Sequence, residues 1–76
     1  MNDFINSSVE QAARRRKQLI ETGPWKPAVV YYEGWFFAYA EHPNGKRELD
    51  GRYKDEGAAW SSAGDLAMMF NRDGKR

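Results

Sequence analysis

The chain has 76 residues, 12 Lys and Arg against 11 Asp and Glu for a formal net charge of +1, one histidine and no cysteine. That size predicts a single domain, 1–76, burying only about 60 % of the surface its unfolded form exposes, and it excludes disulfides, thiolate zinc sites and thiol nucleophiles. The longest apolar run, 35–40, is far short of the roughly 18 residues that cross a membrane, and Asp3 breaks any leader pattern; the expectation is a soluble, cytoplasmic protein whose electrostatics come from local patches.

The first element is an N-terminal helix over about 7–22. Ser7 and Glu10 have capping-box spacing, with Asn2 or Asp3 as caps for an earlier start. Ile5, Val9, Ala12, Ala13, Leu19 and Ile20 fall on one side at a 3.6-residue period, and Arg14, Lys17, Gln18 and Glu21 on the other. Arg16 lies inside the apolar arc, either snorkelling over the core or marking a helix that makes a poor lid. Gly23, expected in a left-handed cap, and Pro24 end the helix near Thr22.

From Ala28 the pattern turns to β-branched and aromatic residues, predicting a sheet over about 28–54. Glu33-Gly34 suits a tight turn, and Asn44-Gly45 suits a type I′ turn in which both central residues take positive φ. Two-residue turns fix the register: Tyr32 opposite Trp35, Val30 opposite Phe37 and Ala28 opposite Tyr39; then Glu41 opposite Glu48, Tyr39 opposite Asp50, Phe37 opposite Arg52 and Trp35 opposite Lys54. A second helix over about 55–70 opens with Asp55 and Glu56 and carries an apolar stripe of Ala59, Ala63, Leu66, Ala67 and Phe70, flanked by Trp60 and Met69. Residues 71–76 read as a flexible tail. The fold class is α+β, in the order α-β-β-β-α, with a three-stranded antiparallel sheet packed against two helices.

This register gives the sheet two apolar faces. Val29, Tyr31, Phe36, Ala38, Ala40, Leu49 and Tyr53 form the face expected to pack on the helices. The other carries Val30, Tyr32, Trp35, Phe37 and Tyr39 beside Glu48, Asp50, Arg52 and Lys54. It is a recognition surface if left open, since aromatic residues and Arg give large contact area at low entropy cost. It is a second core layer if the helices cover opposite faces.

Little in the chain supports catalysis. His42 sits in a turn beside Pro43, and Glu41, Glu48 and Asp50 are expected at a solvated strand end rather than in a pocket. No metal-ligand spacing and no phosphate-binding glycine motif occurs, so no cofactor is expected. Arg14-Arg15-Arg16-Lys17 is the one basic run; consecutive residues point around the whole circumference of a helix, which disperses their charge.

The order of elements, with Gly51-Arg52-Tyr53-Lys54 leading into the alanine-rich segment 58–67, is similar to the double-stranded-RNA-binding domain. The resemblance implies the topology and not the activity, because the family's phosphate-holding lysines at the start of the last helix are replaced here by Asp55-Glu56-Gly57. In style, a short cysteine-free chain with the aromatic run 35–40, Asn44-Gly45 and an amphipathic last helix resembles small phage-encoded proteins such as anti-CRISPRs, which bind and block host machinery. The expectation is a non-enzymatic inhibitor or adaptor that occupies the surface of a larger protein through Tyr32, Trp35, Phe37 and Tyr39, edged by Arg52 and Lys54, with homodimerisation through that face as a special case. The alternative is nucleic-acid binding through Arg14, Arg15, Arg16 and Lys17 with the sheet aromatics stacking on bases.

Overall fold

A computed structural model describes residues 3–76, with side chains from residue 12 onward. The expected cap Asn2 and the side chains of Asp3, Ile5, Ser7, Val9 and Glu10 lie outside the described residues, and α1 begins by Asp3, earlier than the expected start near Ser7. The elements run α1 (Asp3–Thr22), β1 (Lys26–Tyr32), β2 (Trp35–Glu41), β3 (Arg47–Tyr53) and α2 (Glu56–Asp73). The chain is thus α-β-β-β-α, with one antiparallel sheet in the order β1-β2-β3.

The first hairpin follows its turn residues. Glu33 and Gly34 take φ of 50° and 84°, as a type I′ turn requires, and β1 pairs with β2 from Lys26↔Glu41 to Tyr32↔Trp35 without interruption. The second hairpin differs from expectation. Among its turn residues only Gly45, at φ 95°, is in the left-handed region, and Gly45 N–H donates to the His42 carbonyl at 2.9 Å while His42 N–H donates to that of Lys46 at 2.9 Å. Pro43, whose ring fixes φ near −65°, suits the first central position of a type I turn, and Gly45 supplies the bulge that follows it. The three-residue loop slips the strand by one, pairing Glu41 with Arg47, Ala40 with Glu48 and Tyr39 with Leu49.

A bulge at Asp50 then restores the register, so that Ala38 faces Gly51, Phe37 faces Arg52 and Phe36 faces Tyr53. The expected pairs Glu41 with Glu48 and Tyr39 with Asp50 do not form, whereas Phe37 with Arg52 does.

The second helix is capped at both ends. Asp55 is extended and its carboxylate accepts from Ala58 N–H at 2.8 Å, satisfying an orphan donor of the first turn. At the other end Gly74 is left-handed, with Gly74 N–H bonding Asn71 O at 3.3 Å and Lys75 N–H bonding Phe70 O at 2.9 Å, a Schellman arrangement. The helix therefore continues through Asn71 to Asp73, beyond the end that its apolar stripe suggests.

Packing is organised around α2. Ala59, Ala63 and Ala67, spaced four apart, are fully buried against Ala38 and Ala40 of β2, with Val29, Phe36 and Tyr53 on one side and Trp25, Leu66 and Phe70 on the other. Small residues on both surfaces bring helix and sheet close together. Away from that stripe α2 carries Ser61, Gly64 and Asp65, and there α1 packs: Arg16 ion-pairs with Asp65 and donates to the Ser61 carbonyl at 3.2 Å, while Ile20 approaches Gly64. At 100° per residue Ser61 and Asp65 lie opposite the three alanines, and Gly64 lies on the flank between them. The first helix therefore packs chiefly on the second and meets the sheet at the start of β1, where the Lys26 ammonium donates to the Ile20 and Glu21 carbonyls. A Cβ on Gly64 would stand 2.7 Å from the Arg16 guanidinium, so a larger residue there would displace that side chain from its present position.

Candidate functional site

With α2 on one face and α1 stacked beyond it, no element covers the other sheet face among the described residues. Among the described residues, the six fully buried apolar ones, Trp25, Ala38, Ala40, Ala59, Ala63 and Ala67, belong to the core between sheet and α2 or to α2 itself. The second-core-layer alternative is thereby removed for the described residues. Tyr32 is 62 % and Val30 39 % exposed on this face, and Trp35, Phe37 and Tyr39 are half-buried by their neighbours alone.

The slip and bulge in β3 change the composition of the face. Leu49, expected on the helix side, stands opposite Tyr39 and is 56 % exposed. Glu48, opposite the buried Ala40, turns to the helix side, where its carboxylate lies 3.9 Å from the Lys75 ammonium. Asp50, in the bulge, accepts from Tyr53 Oη at 2.8 Å and from the Ser62 hydroxyl, tying β3 to α2. The three acids that the sequence places near one strand end thus serve three separate partners, the third being Glu41, which holds the Arg47 guanidinium at 2.8 and 3.1 Å.

The face that results is aromatic and cationic. The Arg52 guanidinium lies 4.3 Å and the Lys54 ammonium 4.0 Å from the Trp35 ring centre, and Arg47 lies 5.0 Å from that of Tyr39. Lys54 also reaches the Gly34 carbonyl at 3.4 Å, which places its charge over the first turn. Cations held over ring faces interact with the ring quadrupole and are already ordered, which lowers the entropy lost on binding. Tyr32, Trp35, Phe37 and Tyr39 are brought to one surface, with Arg52 and Lys54 on its β3 side. Arg47 was missed as a member of it, because a two-residue turn puts Glu48 where Arg47 stands; the signal that could have found it is Pro43, which favours the longer loop.

The basic run of α1 is dispersed. Arg16 is committed to Asp65 and Ser61, Lys17 lies 3.9 Å from Glu21, and Arg14 is likewise engaged. Arg15 borders a shallow groove of about 380 Å³ between the helices, floored by Ala12, Leu19 and Met68 and closed by Arg72, which bonds Asp73 at 3.1 Å. This groove lies on the far side of α2 from the sheet aromatics, so the two parts of the nucleic-acid alternative do not share a surface. His42 packs edge-on against Trp25, with ring centres 5.0 Å apart, and its Nδ1 accepts from Asn44 N–H at 3.1 Å, a structural role in the loop.

No protein-family model, no curated protein and no solved structure matches the chain.

Proposed function

We propose that this chain is a non-enzymatic binding module that occupies the surface of a larger protein through its open sheet face, as an inhibitor or adaptor. The observation that carries this reading is the uncovered face itself, on which Tyr32, Trp35, Phe37 and Tyr39 stand together with Leu49 at one side and Arg52 and Lys54 stacked on Trp35. Aromatic anchors with Arg beside them are the residue types that concentrate binding energy at protein interfaces. The charges specify the partner's character. Arg47, Arg52 and Lys54 stand against the single carboxylate of Glu41, so the complementary surface is acidic at its rim and apolar at its centre. The resemblance in size and composition to small phage-encoded proteins that block host machinery agrees with such a role.

The test is capture of a stoichiometric partner by the tagged chain from nuclease-treated lysate, followed by the same capture with Phe37→Glu. Placing a carboxylate at the centre of the face is expected to remove the partner, while far-UV circular dichroism stays that of the wild type because Phe37 supports none of the fully buried core. If Phe37→Glu retains the partner, the face is not the site.

A second reading is favoured by one observation, the gain of Arg47 and loss of Glu48 and Asp50 from the face, which sets basic groups beside stackable rings as single-stranded nucleic-acid binders do. It predicts retention on single-stranded DNA that falls steeply with salt. Retention that is weak and indifferent to salt argues against it.

A further inference from the structure

We propose that the free edge of β1 pairs antiparallel with β1 of a second copy of this chain, joining two three-stranded sheets into one of six strands with a doubled open face. The inference goes beyond the binding role of the face and stands whether or not that role does. It begins with the hydrogen-bonding parity of the first hairpin. Tyr32 and Trp35 flank a two-residue turn, so they exchange both backbone bonds, and Val30 and Ala28 likewise bond inward to β2. Val29 and Tyr31 consequently point their N–H and C=O groups outward, and among the described residues no other backbone group bonds them there. Tyr31, at the turn end of this edge, is 64 % exposed, and Val30 beside it 39 %.

The two edges of the sheet are not alike. β3 carries Arg47, Glu48, Asp50 and Arg52 and is broken by the bulge at Asp50, the devices that keep an edge from pairing. β1 pairs in unbroken register and has no charge between Pro27 and Tyr32, and Tyr31 and Tyr32, 64 % and 62 % exposed, are its most accessible apolar residues. An unprotected, flat, apolar edge pairs with another strand unless something covers it.

Charge and proline select a second copy and its register. Lys26, whose ammonium donates to the Ile20 and Glu21 carbonyls and keeps its charge, and Glu33 flank the uncharged segment, so antiparallel self-pairing sets the basic end of one strand near the acidic end of the other, whereas parallel pairing stacks like on like. Pro27 is the third outward-facing residue and lacks an N–H, so a register that opposes it to a hydrogen-bonded partner loses a bond. With the two-fold axis at Val30, each Val29 exchanges both bonds with the partner's Tyr31, and Pro27 has only to accept through its carbonyl. Val30 then stands opposite the partner's Val30 as a non-hydrogen-bonded pair, and both open faces lie on the same side of the joined sheet.

The mass of the full chain in solution, measured by light scattering from micromolar to millimolar concentration, is expected to rise to twice 8.8 kDa. Val30→Lys, which sets two ammonium groups against each other at the axis, is expected to hold the chain at the single mass with an unchanged circular dichroism spectrum. Tyr31→Pro removes the outward N–H without touching a β1–β2 bond and serves the same purpose should the lysine variant fail to fold. Because the chain has no cysteine, Val30→Cys reports the pairing directly: Cα atoms about 4.5 Å apart suit a disulfide, so mild oxidation is expected to give a covalent dimer, whereas Leu49→Cys on β3 is not. A single mass at every concentration, dimers that persist in folded Val30→Lys, or crosslinking of Leu49→Cys as readily as Val30→Cys overturns the proposal.

Discussion

Asn71 does more for this fold than its polarity suggests. Its carbonyl accepts from Trp25 N–H at 2.9 Å, and its amide donates to the Leu19 carbonyl at 2.7 Å and to the Trp25 carbonyl at 2.9 Å. One side chain on α2 thereby closes the C-terminus of α1 and the entry to β1. Gly23 makes room for it: a Cβ there would stand 2.0 Å from Asn71 Cγ, and Gly23 is absent from the positive-φ residues. The left-handed cap expected from the sequence is thus replaced by a steric reason for the same glycine. Gly23→Ala and Asn71→Ala are each expected to cost about 2–3 kcal/mol, the first by overlap and the second by stranding partly buried backbone groups. The double variant is expected to cost somewhat less than their sum, because alanine at 71 removes the Cγ and Oδ1 that a Cβ at 23 meets at 2.0 and 2.2 Å while keeping the Cβ that it meets at 2.5 Å; urea unfolding of the four proteins checks the cycle.

At the scale of elements, the first hairpin has one residue out of character. Glu33 holds φ 50° with a side chain that disfavours it, where asparagine is the common choice before glycine. Glu33→Asn is expected to raise stability by about 0.5–1 kcal/mol, read as a higher urea midpoint at unchanged slope. This hairpin was legible because two residues of turn and a strict alternation leave a single register for Tyr32 with Trp35. The second was legible only in its far half. Asn44-Gly45 reads as a two-residue turn until Pro43 is given its weight, and no periodicity announces the bulge at Asp50, whose carboxylate is held by Tyr53 of the same strand and Ser62 of α2. That slip moved Leu49 and Arg47 onto the open face and Glu48 and Asp50 off it, which is why the aromatic members of the candidate site and its cations Arg52 and Lys54 could be read in the sequence, while Arg47 and the departure of the two acids could not. The stacking of α1 on α2 was hidden for a similar reason: Gly64 and Asp65 signal a partner only once Arg16 is known to lie across them.

At the scale of the whole molecule, the hydrophobic core is thin. Among the described residues, five of the six fully buried apolar side chains are alanines, each contributing less than about 1 kcal/mol by transfer, and Trp25 is the one large side chain completely removed from solvent. Trp25 is held from the far end of the chain: its indole N–H donates to the Lys75 carbonyl at 2.8 Å, Phe70 packs on it at 4.8 Å between ring centres, and Asn71 bonds its backbone. The hairpins, by contrast, close over a few residues and need no help from the termini. Loop closure makes local pairs early and distant ones late, so the sheet is expected to be largely formed at the folding barrier while the seating of Trp25 by the end of α2 comes after it. Asn71→Ala should then leave the refolding rate within about a factor of two and place its cost in faster unfolding. The latch that joins the end of α2 to the junction of α1 and β1 thereby sets how long the folded molecule lasts, and has little say in how quickly it is reached.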